Sequence, residues 1–474
     1  MSAAAAGDAQ RRTGNPLAPA WLSVPQDLDA LDPAIWPEDF GRDAAGRLTV
    51  GGIPADELVG RWGSPLYVYS EDAFRRRARQ FRDAFAEAFA PLGAEVSVYY
   101  AGKSFLTTEV VRWVREEGLN VDTASGGELA VALRGGMPPE RIALHGNNKS
   151  AAEIVRALEA GIGRIVVDSL AEIELVGRLA RGLGVVAPVM IRVTPGVHAS
   201  THEFIATAHE DQKFGLSLTG GTAFEAVRRV LAAEHLDLVG LHSHIGSQIF
   251  DTGGFEVAAR RVLDLVAQVR DELDHTITQL DLGGGFGVMY NTQHTPSTPE
   301  ALASGIAGIV EKQCHELELE VPHVSFEPGR AIAGPSTQTL YTVGTVKDVR
   351  LGGPHHRVYV SVDGGMSDNV RTALYDADYS CLLSGRVSEE QPEVVRVVGK
   401  HCESGDIVVK DEYLPADVRR GDLVSVPVTG AYCYSLASNY NHVPRPPVIA
   451  VKDGEIRTLI RRETEEDLLG LDVG

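Results

Sequence analysis

Residues 278–287 read TQLDLGGGFG, a strand signal that runs into a glycine cluster, and the place of this stretch in the chain decides the fold. In a doubly wound open sheet the glycine-rich turn follows the first strand. Here six strand signals precede it. Their ends read YYAGK (99–103), LNVDTAS (119–125), IALHGNN (142–148), RIVVDS (164–169), VMIRVTP (189–195) and GLHSHIG (240–246), and HVSFEPGR (323–330) comes after. Amphipathic stretches such as TTEVVRWVREEG and AAEIVRALEAG lie between them, most closed by the glycine that helices favour just past their last turn. Eight such units between residues 96 and 330 predict an α/β fold of the (β/α)8 barrel type, whose usual size is about 250 residues.

Outward from the barrel the pattern changes on both sides. Phe74, Ala78, Phe81, Phe85 and Phe89 form one apolar stripe at helical spacing, so a helix opens the barrel region at residue 71. After Arg330 the chain turns to short alternating strands, TLYTVGTVKDVR, HRVYVSVDG, EVVRVVGKH, DLVSVPVTG and VIAVKDGEIRTLIRR, which predict a separate C-terminal all-β domain over 331–474. Residues 46–70 are expected to lend that domain a strand. Residues 1–45, rich in small and polar residues, read as a flexible N-terminal extension without the apolar run of a signal peptide.

The chain of 474 residues, 44% hydrophobic, is long enough for a full core. Its net charge of -21 argues against nucleic acid and against an anionic membrane, both of which repel it at long range. No membrane span is evident. Four cysteines, Cys314, Cys381, Cys402 and Cys433, show no metal-ligand spacing and predict a reducing, cytoplasmic location.

In a (β/α)8 barrel chemistry sits at the C-terminal ends of the strands. Lys103, Asp122, His145, Asp168, Arg192, His244, Ser247, Gly284, Gly285, Glu327 and Arg330 fall there. Lys103 follows an apolar strand, EVSVYYAGKS, so its stem packs while its amine reaches the rim, where a Schiff-base lysine belongs. The GGGFG run can bring backbone N–H groups onto a phosphate, near the region where barrels hold one. A strand-end lysine, a phosphate cradle and a strand-end carboxylate are what pyridoxal phosphate needs: an aldehyde partner, an anchor and a group for its pyridine nitrogen. Glu327 is the candidate for that nitrogen and His244 for a ring stacked on the cofactor. The pair His242 and His244 also raises a metal site, since residues two apart on a strand share a face. The last strand, with Glu-Pro-Gly-Arg, is a poor metal arm, and no metal is expected.

With these residues in place the chain resembles the fold type III pyridoxal phosphate decarboxylases over residues 60–450. YAGKS, DTASGGEL, HGNNKS, HEFIATAHEDQKFGL, LHSHIGSQ, DLGGGFG, EPGR, VDGGMSDNVRTALY, GKHCESGD and TGAYCYSLASNYN carry the resemblance. It implies Lys103 as the lysine joined to the cofactor and Cys402 as the proton donor. It further implies Asp122, His244, Ser247, Gly284, Gly285, Glu327, Pro328, Gly329, Arg330 and Tyr432 around the cofactor, with Arg330, Arg371, Tyr375, Glu403 and Tyr432 on the substrate. The implied substrate is meso-2,6-diaminopimelate and the product L-lysine, and a homodimer is implied in which the Cys402–Glu403 segment serves the neighbouring subunit.

The residue types fit. Arginines capture a carboxylate in a planar, bidentate way that lysines do not, and Glu403 suits a distal ammonium. A mixed pocket of this kind distinguishes diaminopimelate from lysine or ornithine, which lack the second carboxylate. Departures from the family pattern are Ser104 and Phe105 after the lysine, and His209 where glycine is more usual in an expected mobile loop. Alternative readings are a sister decarboxylase for arginine, ornithine or carboxynorspermidine, a racemase, and a non-catalytic pyridoxal phosphate binder.

Overall fold

Eight parallel strands pair in chain order and close on themselves: β1 (Val96–Ala101), β2 (Asn120–Thr123), β3 (Ile142–Leu144), β4 (Arg164–Val167), β5 (Ala187–Thr194), β6 (Leu236–His242), β7 (Gln279–Gly284) and β8 (His323–Glu327). The pairing of β8 with β1 and of β4 with β5 completes the barrel. This computed structural model describes residues 15, 17–196, 212–350 and 356–474. It separates into two compact units, one of residues 75–288 and 296–332, the other of residues 1–74, 289–295 and 333–474.

Three successive helices of the barrel unit begin with the same device. Ser125, Ser150 and Ser169 each accept the backbone N–H three residues on, from Glu128, Glu153 and Glu172. Each such cap is worth about 1 kcal/mol and fixes where the chain leaves the strand end and enters the helix. Glu128 and Glu172 reach back to the N–H groups of Ala124 and Asp168, so the caps also brace the strand ends.

The apolar stripe predicted for the first barrel helix is buried throughout, with the Phe85 ring 4.0 Å from that of Phe326 on β8 and tilted to it. Phe286, inside the glycine run, joins this cluster, 5.4 Å from both Phe81 and Phe255. Inside the barrel Arg164 spans from Tyr99, 3.9 Å beneath its guanidinium, to Asp281, 2.5 Å away. That charged layer lies under the strand ends and is dry.

In the β unit the long strand Thr337–Arg350 is shared. Its first half pairs with Leu66–Ser70 and Leu423–Pro427, its second with His356–Val362. Leu66–Ser70 also pairs with Val448–Lys452, so the segment ahead of the barrel is a central strand of this sheet. The described part of the expected flexible extension is packed: Ile35 and Trp36 are buried, and Phe40–Arg42 pairs with Leu48–Val50. Its aromatic and aliphatic side chains find apolar cover, which composition at the chain start did not foretell. Residues 289–295, between β7 and the next helix, belong to this unit too. The loop around His209 lies outside the described residues.

Candidate active site

Lys103 sits in a single 3-10 turn, Gly102–Ser104, directly after β1, with its side chain exposed. The turn is braced from below. Ser104 donates to the Ala101 carbonyl at 2.8 Å and to the Tyr100 hydroxyl at 3.0 Å, and Tyr100 donates to the Phe105 carbonyl at 2.7 Å. The departures at Ser104 and Phe105 therefore lie in the support of the lysine, both buried. A Cβ at Gly102 would stand 2.7 Å from the Asp122 carbonyl, so glycine is what lets β1 and β2 close up there.

Around this lysine the strand ends bring together Asp122, His145, His242, His244 and Glu327. His145 Nε2 is hydrogen-bonded to Asp122 Oδ1 at 3.2 Å and lies 3.4 Å from Glu327 Oε1. His242 Nε2 is 3.1 Å from the same Oε1, but neither imidazole is aligned to donate to it. Burial raises the pKa of Glu327, with Asp122 adding to the effect, while His145 and Lys103 pull it back. Burial pushes Asp122 up more strongly, reinforced by Asp281. The same dryness lowers His145 to about 4 and puts His242 and His244 well below the usual imidazole value, so the three rings are neutral at pH 7.

His244 Nδ1 accepts the N–H of Gly284 at 3.2 Å, which places the ring proton of neutral His244 on Nε2. The glycine run is first a packing requirement. A Cβ at Gly284 would come 2.0 Å from the Glu327 carbonyl, and Gly285, at φ +96, would meet the Gly246 carbonyl at 2.3 Å. Gly283 donates to Asp281 Oδ1 at 2.8 Å, so two N–H groups of the run are engaged within the protein and Gly285 has no part in those bonds. Ser247 accepts from Arg330 Nη2 at 2.8 Å, joining the end of β6 to the turn after β8. Pro328 and Gly329 press on β1, with the Pro328 carbonyl accepting from Ala101 N.

The pyridoxal group fits these residues. A carboxylate oxygen buried without an aligned donor is costly, and a protonated ring nitrogen is the donor that Glu327 Oε1 lacks. Lys103 lies near enough that its charge is felt by Asp122, Glu128, His244 and Glu327. Ligand atoms of His145, His242 and Glu327 also lie within 4.8 Å of one another, a spacing a divalent cation can use. The histidine pair in that set comes from β3 and β6, where the sequence pointed to His242 with His244.

Other candidates lie in the β unit. Arg371 opens the short helix Arg371–Tyr375, 5% exposed, its guanidinium 5.0 Å from the Tyr290 ring, 5.7 Å from Tyr379 and 5.9 Å from Tyr432. Among the described residues no carboxylate forms an ion pair with it. Tyr375 is half-buried at the end of that helix, and Tyr432 holds the left-handed backbone, φ +66. Cys402 is the one exposed thiol among the four cysteines. Glu403 accepts from the Tyr440 hydroxyl. Asp406 pins their loop, accepting from His401 N at 2.7 Å and Met366 N at 2.6 Å. Tyr290, Tyr379 and Cys433 were not singled out from the sequence; Tyr379 lies in DADYSC, a stretch with no periodicity or turn chemistry to mark it.

Residues 71–334 match the family model described as pyridoxal-dependent decarboxylase, pyridoxal binding domain. The diaminopimelate decarboxylase of Mycobacterium tuberculosis (strain H37Rv) is 54% identical over 451 residues, covering 94% of this chain and 99% of that one. The Bacillus subtilis (strain 168) enzyme of the same name is 44% identical over 428 residues, 90% of this chain and 95% of its own. The crystal structure of diaminopimelate decarboxylase from M. jannaschii in co-complex with L-lysine superposes with a TM-score of 0.85 at 32% identity, covering 92% and 98% of the two chains. The barrel closed around a strand-end lysine, the buried carboxylate without a donor and this likeness over nearly the whole length lead to one assignment: the chain belongs to the diaminopimelate decarboxylase family of pyridoxal-dependent decarboxylases.

Proposed function

We propose that the protein removes carbon dioxide from meso-2,6-diaminopimelate to give L-lysine, the last step of lysine biosynthesis, with pyridoxal phosphate as cofactor. The buried Arg371 guanidinium, ringed by tyrosines and lacking a carboxylate partner among the described residues, is the observation that carries the substrate reading. A buried cation of this kind is stable when an anion completes it, and diaminopimelate retains one carboxylate after the other is lost.

Pyridoxal phosphate supplies the electron sink that accommodates the pair left behind when carbon dioxide departs. Lys103 is the residue whose amine would hold the cofactor's aldehyde carbon and give way to the substrate's amine. Glu327, whose Oε1 lacks an aligned donor, would face the ring nitrogen and favour its protonated form. His244 presents its neutral ring as a stacking face, Ser247, Gly284, Gly285 and the Glu327–Arg330 turn would hold the phosphate, and Asp122 and Tyr432 are further residues assigned to the cofactor. Arg330, Arg371, Tyr375 and Tyr432 orient the substrate, and Glu403 pairs with its distal ammonium. Cys402 delivers the proton to the α-carbon as a general acid.

The exposure of Cys402 and Glu403 supports a homodimer in which each subunit supplies this pair to the other. No helix of the described residues is long and apolar enough to cross a membrane, and with four free cysteines we place the protein in the cytoplasm. The deciding experiment measures carbon dioxide and lysine from meso-diaminopimelate, with and without added pyridoxal phosphate, beside L-arginine, L-ornithine and L-lysine. Cofactor-dependent release from diaminopimelate alone is expected. Release from another amino acid at a comparable rate overturns the substrate assignment, and no release from any overturns the enzyme.

A further inference from the structure

Arg371, Tyr379, Cys433 and Asn369 of the β unit form a closed ring of hydrogen bonds. Arg371 Nη1 donates to the Tyr379 hydroxyl at 2.5 Å. Cys433 commits its S–H to Asn369 Oδ1 at 3.6 Å, so across the 3.5 Å between Tyr379 and Cys433 the phenol is the donor. Asn369 Oδ1 also accepts the backbone N–H of Arg371 at 3.4 Å, which returns the ring to its start. All four residues are buried, Tyr379 to 1% exposure, and the Tyr379 ring is fixed edge-on to Tyr290 at 5.1 Å.

The direction of these bonds decides what Arg371 can offer. A guanidinium has five N–H donors in a fixed fork, and a carboxylate takes two of them side by side. Tyr379 occupies Nη1. The edge formed by Nε and Nη2 is thereby left for a ligand, and Nε has no hydrogen-bond partner among the described residues.

We propose that Tyr379 is a positioning residue for substrate specificity: through its hydroxyl, backed by Cys433 and Asn369, it turns Arg371 so that the Nε–Nη2 edge receives the carboxylate that diaminopimelate keeps and lysine still carries. The proposal rests on the assignment of Arg371 to that carboxylate. Because the retained carboxylate is bound alike before and during reaction, its loss is read in KM and not in kcat.

The test compares Tyr379→Phe, Cys433→Ala and Arg371→Lys with the parent as purified, cofactor-loaded enzymes. Tyr379→Phe is expected to raise KM for meso-diaminopimelate, and the inhibition constant of L-lysine, about tenfold each, the size of one hydrogen bond to a charged group, with kcat changed less than about twofold. Its affinity for pyridoxal phosphate, read from the visible absorption of the bound cofactor, and its melting temperature stay at parent values. Cys433→Ala moves KM and lysine inhibition the same way by a smaller factor, and stands in where Tyr379→Phe fails to fold. Unchanged KM, a fall in kcat alone, or a parallel loss of cofactor affinity overturns the role of Tyr379. Arg371→Lys separates the two readings: if it too leaves KM and lysine inhibition unchanged, the carboxylate assignment of Arg371 falls; if it raises both while Tyr379→Phe does not, only the positioning role falls.

Discussion

His145 Nε2 lies 3.4 Å from Glu327 Oε1, so a neutral imidazole and the carboxylate assigned to the cofactor's ring nitrogen share one dry recess at the strand ends. Both are moved by burial, in opposite chemical senses: the histidine is held at about 4 and the carboxylate is raised. Each shift favours the uncharged form. The charges of Asp122, Asp281, Lys103, Arg164 and Arg192 act on one or both of these groups.

The pH dependence of stability follows from that arrangement with a definite sign. A histidine held at about 4 in the folded protein, against an ordinary 6.5, binds its proton more readily when unfolded, so its contribution is present above pH 6.5 and is lost as pH falls towards 4. Glu327, Asp122 and Asp281 are raised and push the other way, gaining stability as pH falls. The difference between parent and His145→Gln isolates the imidazole. Urea unfolding of the cofactor-free proteins is expected to show the parent losing stability relative to the variant by up to about 1.4 kcal/mol per pH unit between pH 6.5 and 4.5. Parallel curves across that range would mean that His145 is not held neutral by the fold.

Lys149 and Glu172 are a second buried pair, 3.1 Å apart, and this one holds the strand ends together. Lys149 Nζ also donates to the carbonyls of Gly146 and Val166, at 2.6 Å each, and Glu172 Oε2 accepts from Asp168 N at 2.8 Å. Lys149→Met leaves a dry carboxylate and two carbonyls without their donor, and about 3–5 kcal/mol of stability is expected to go. Lys149→Met combined with Glu172→Leu removes both charges and recovers a large part of it. Chemical denaturation of the three proteins checks this, and a double variant no better than the single one would show that the carbonyl bonds dominate.

Two glycines predict opposite outcomes. Gly284→Ala sets a Cβ 2.0 Å from the Glu327 carbonyl, where neither strand can yield, and is expected to cost at least about 3 kcal/mol and to weaken cofactor binding. Gly308, in the helix Pro299–Glu316, has nothing within 4 Å of an added Cβ. Gly308→Ala is expected to raise stability by about 0.5–1 kcal/mol through helix propensity and a stiffer unfolded chain. Melting temperatures on the two sides of the parent would confirm that the run after β7 is set by packing.

The barrel was legible because its determinants are local and repeat. Each strand end carries a polar residue after an apolar run, and Ser-x-x-Glu marks three helix starts in succession. Lys103, Glu327 and His244 could be picked out because strand ends are where this fold keeps its chemistry. Tyr379 and Tyr290 could not, since nothing periodic surrounds them; Tyr290 meets Arg371 only through the folded chain, and Tyr379, though only 8 residues from Arg371 in sequence, carries no motif that marks it. Arg164 reads as the polar start of a strand, yet it lies inside the barrel because Asp281 and Ser325 from β7 and β8 arrive to meet it.

The proposed dimer has a consequence that neither subunit alone can reproduce. Lys103 belongs to the barrel unit and Cys402 to the β unit, and if the Cys402–Glu403 segment serves the neighbouring subunit, the two residues of one chain work in different sites. Lys103→Ala is expected to lose the visible absorption of the bound cofactor and all turnover. Cys402→Ala should keep the absorption and lose at least about a hundredfold in turnover, the size of a general acid's contribution. Mixing the two inactive proteins and allowing subunits to exchange then builds hybrid dimers in which one site has Lys103 and Cys402 intact and the other has neither. Random pairing makes half the dimers hybrid, and activity of about one quarter of the parent is expected. Sedimentation at the mass of a monomer, or a mixture as inactive as its components after exchange is shown by a mass tag, would place Cys402 in the site of its own chain or outside the mechanism.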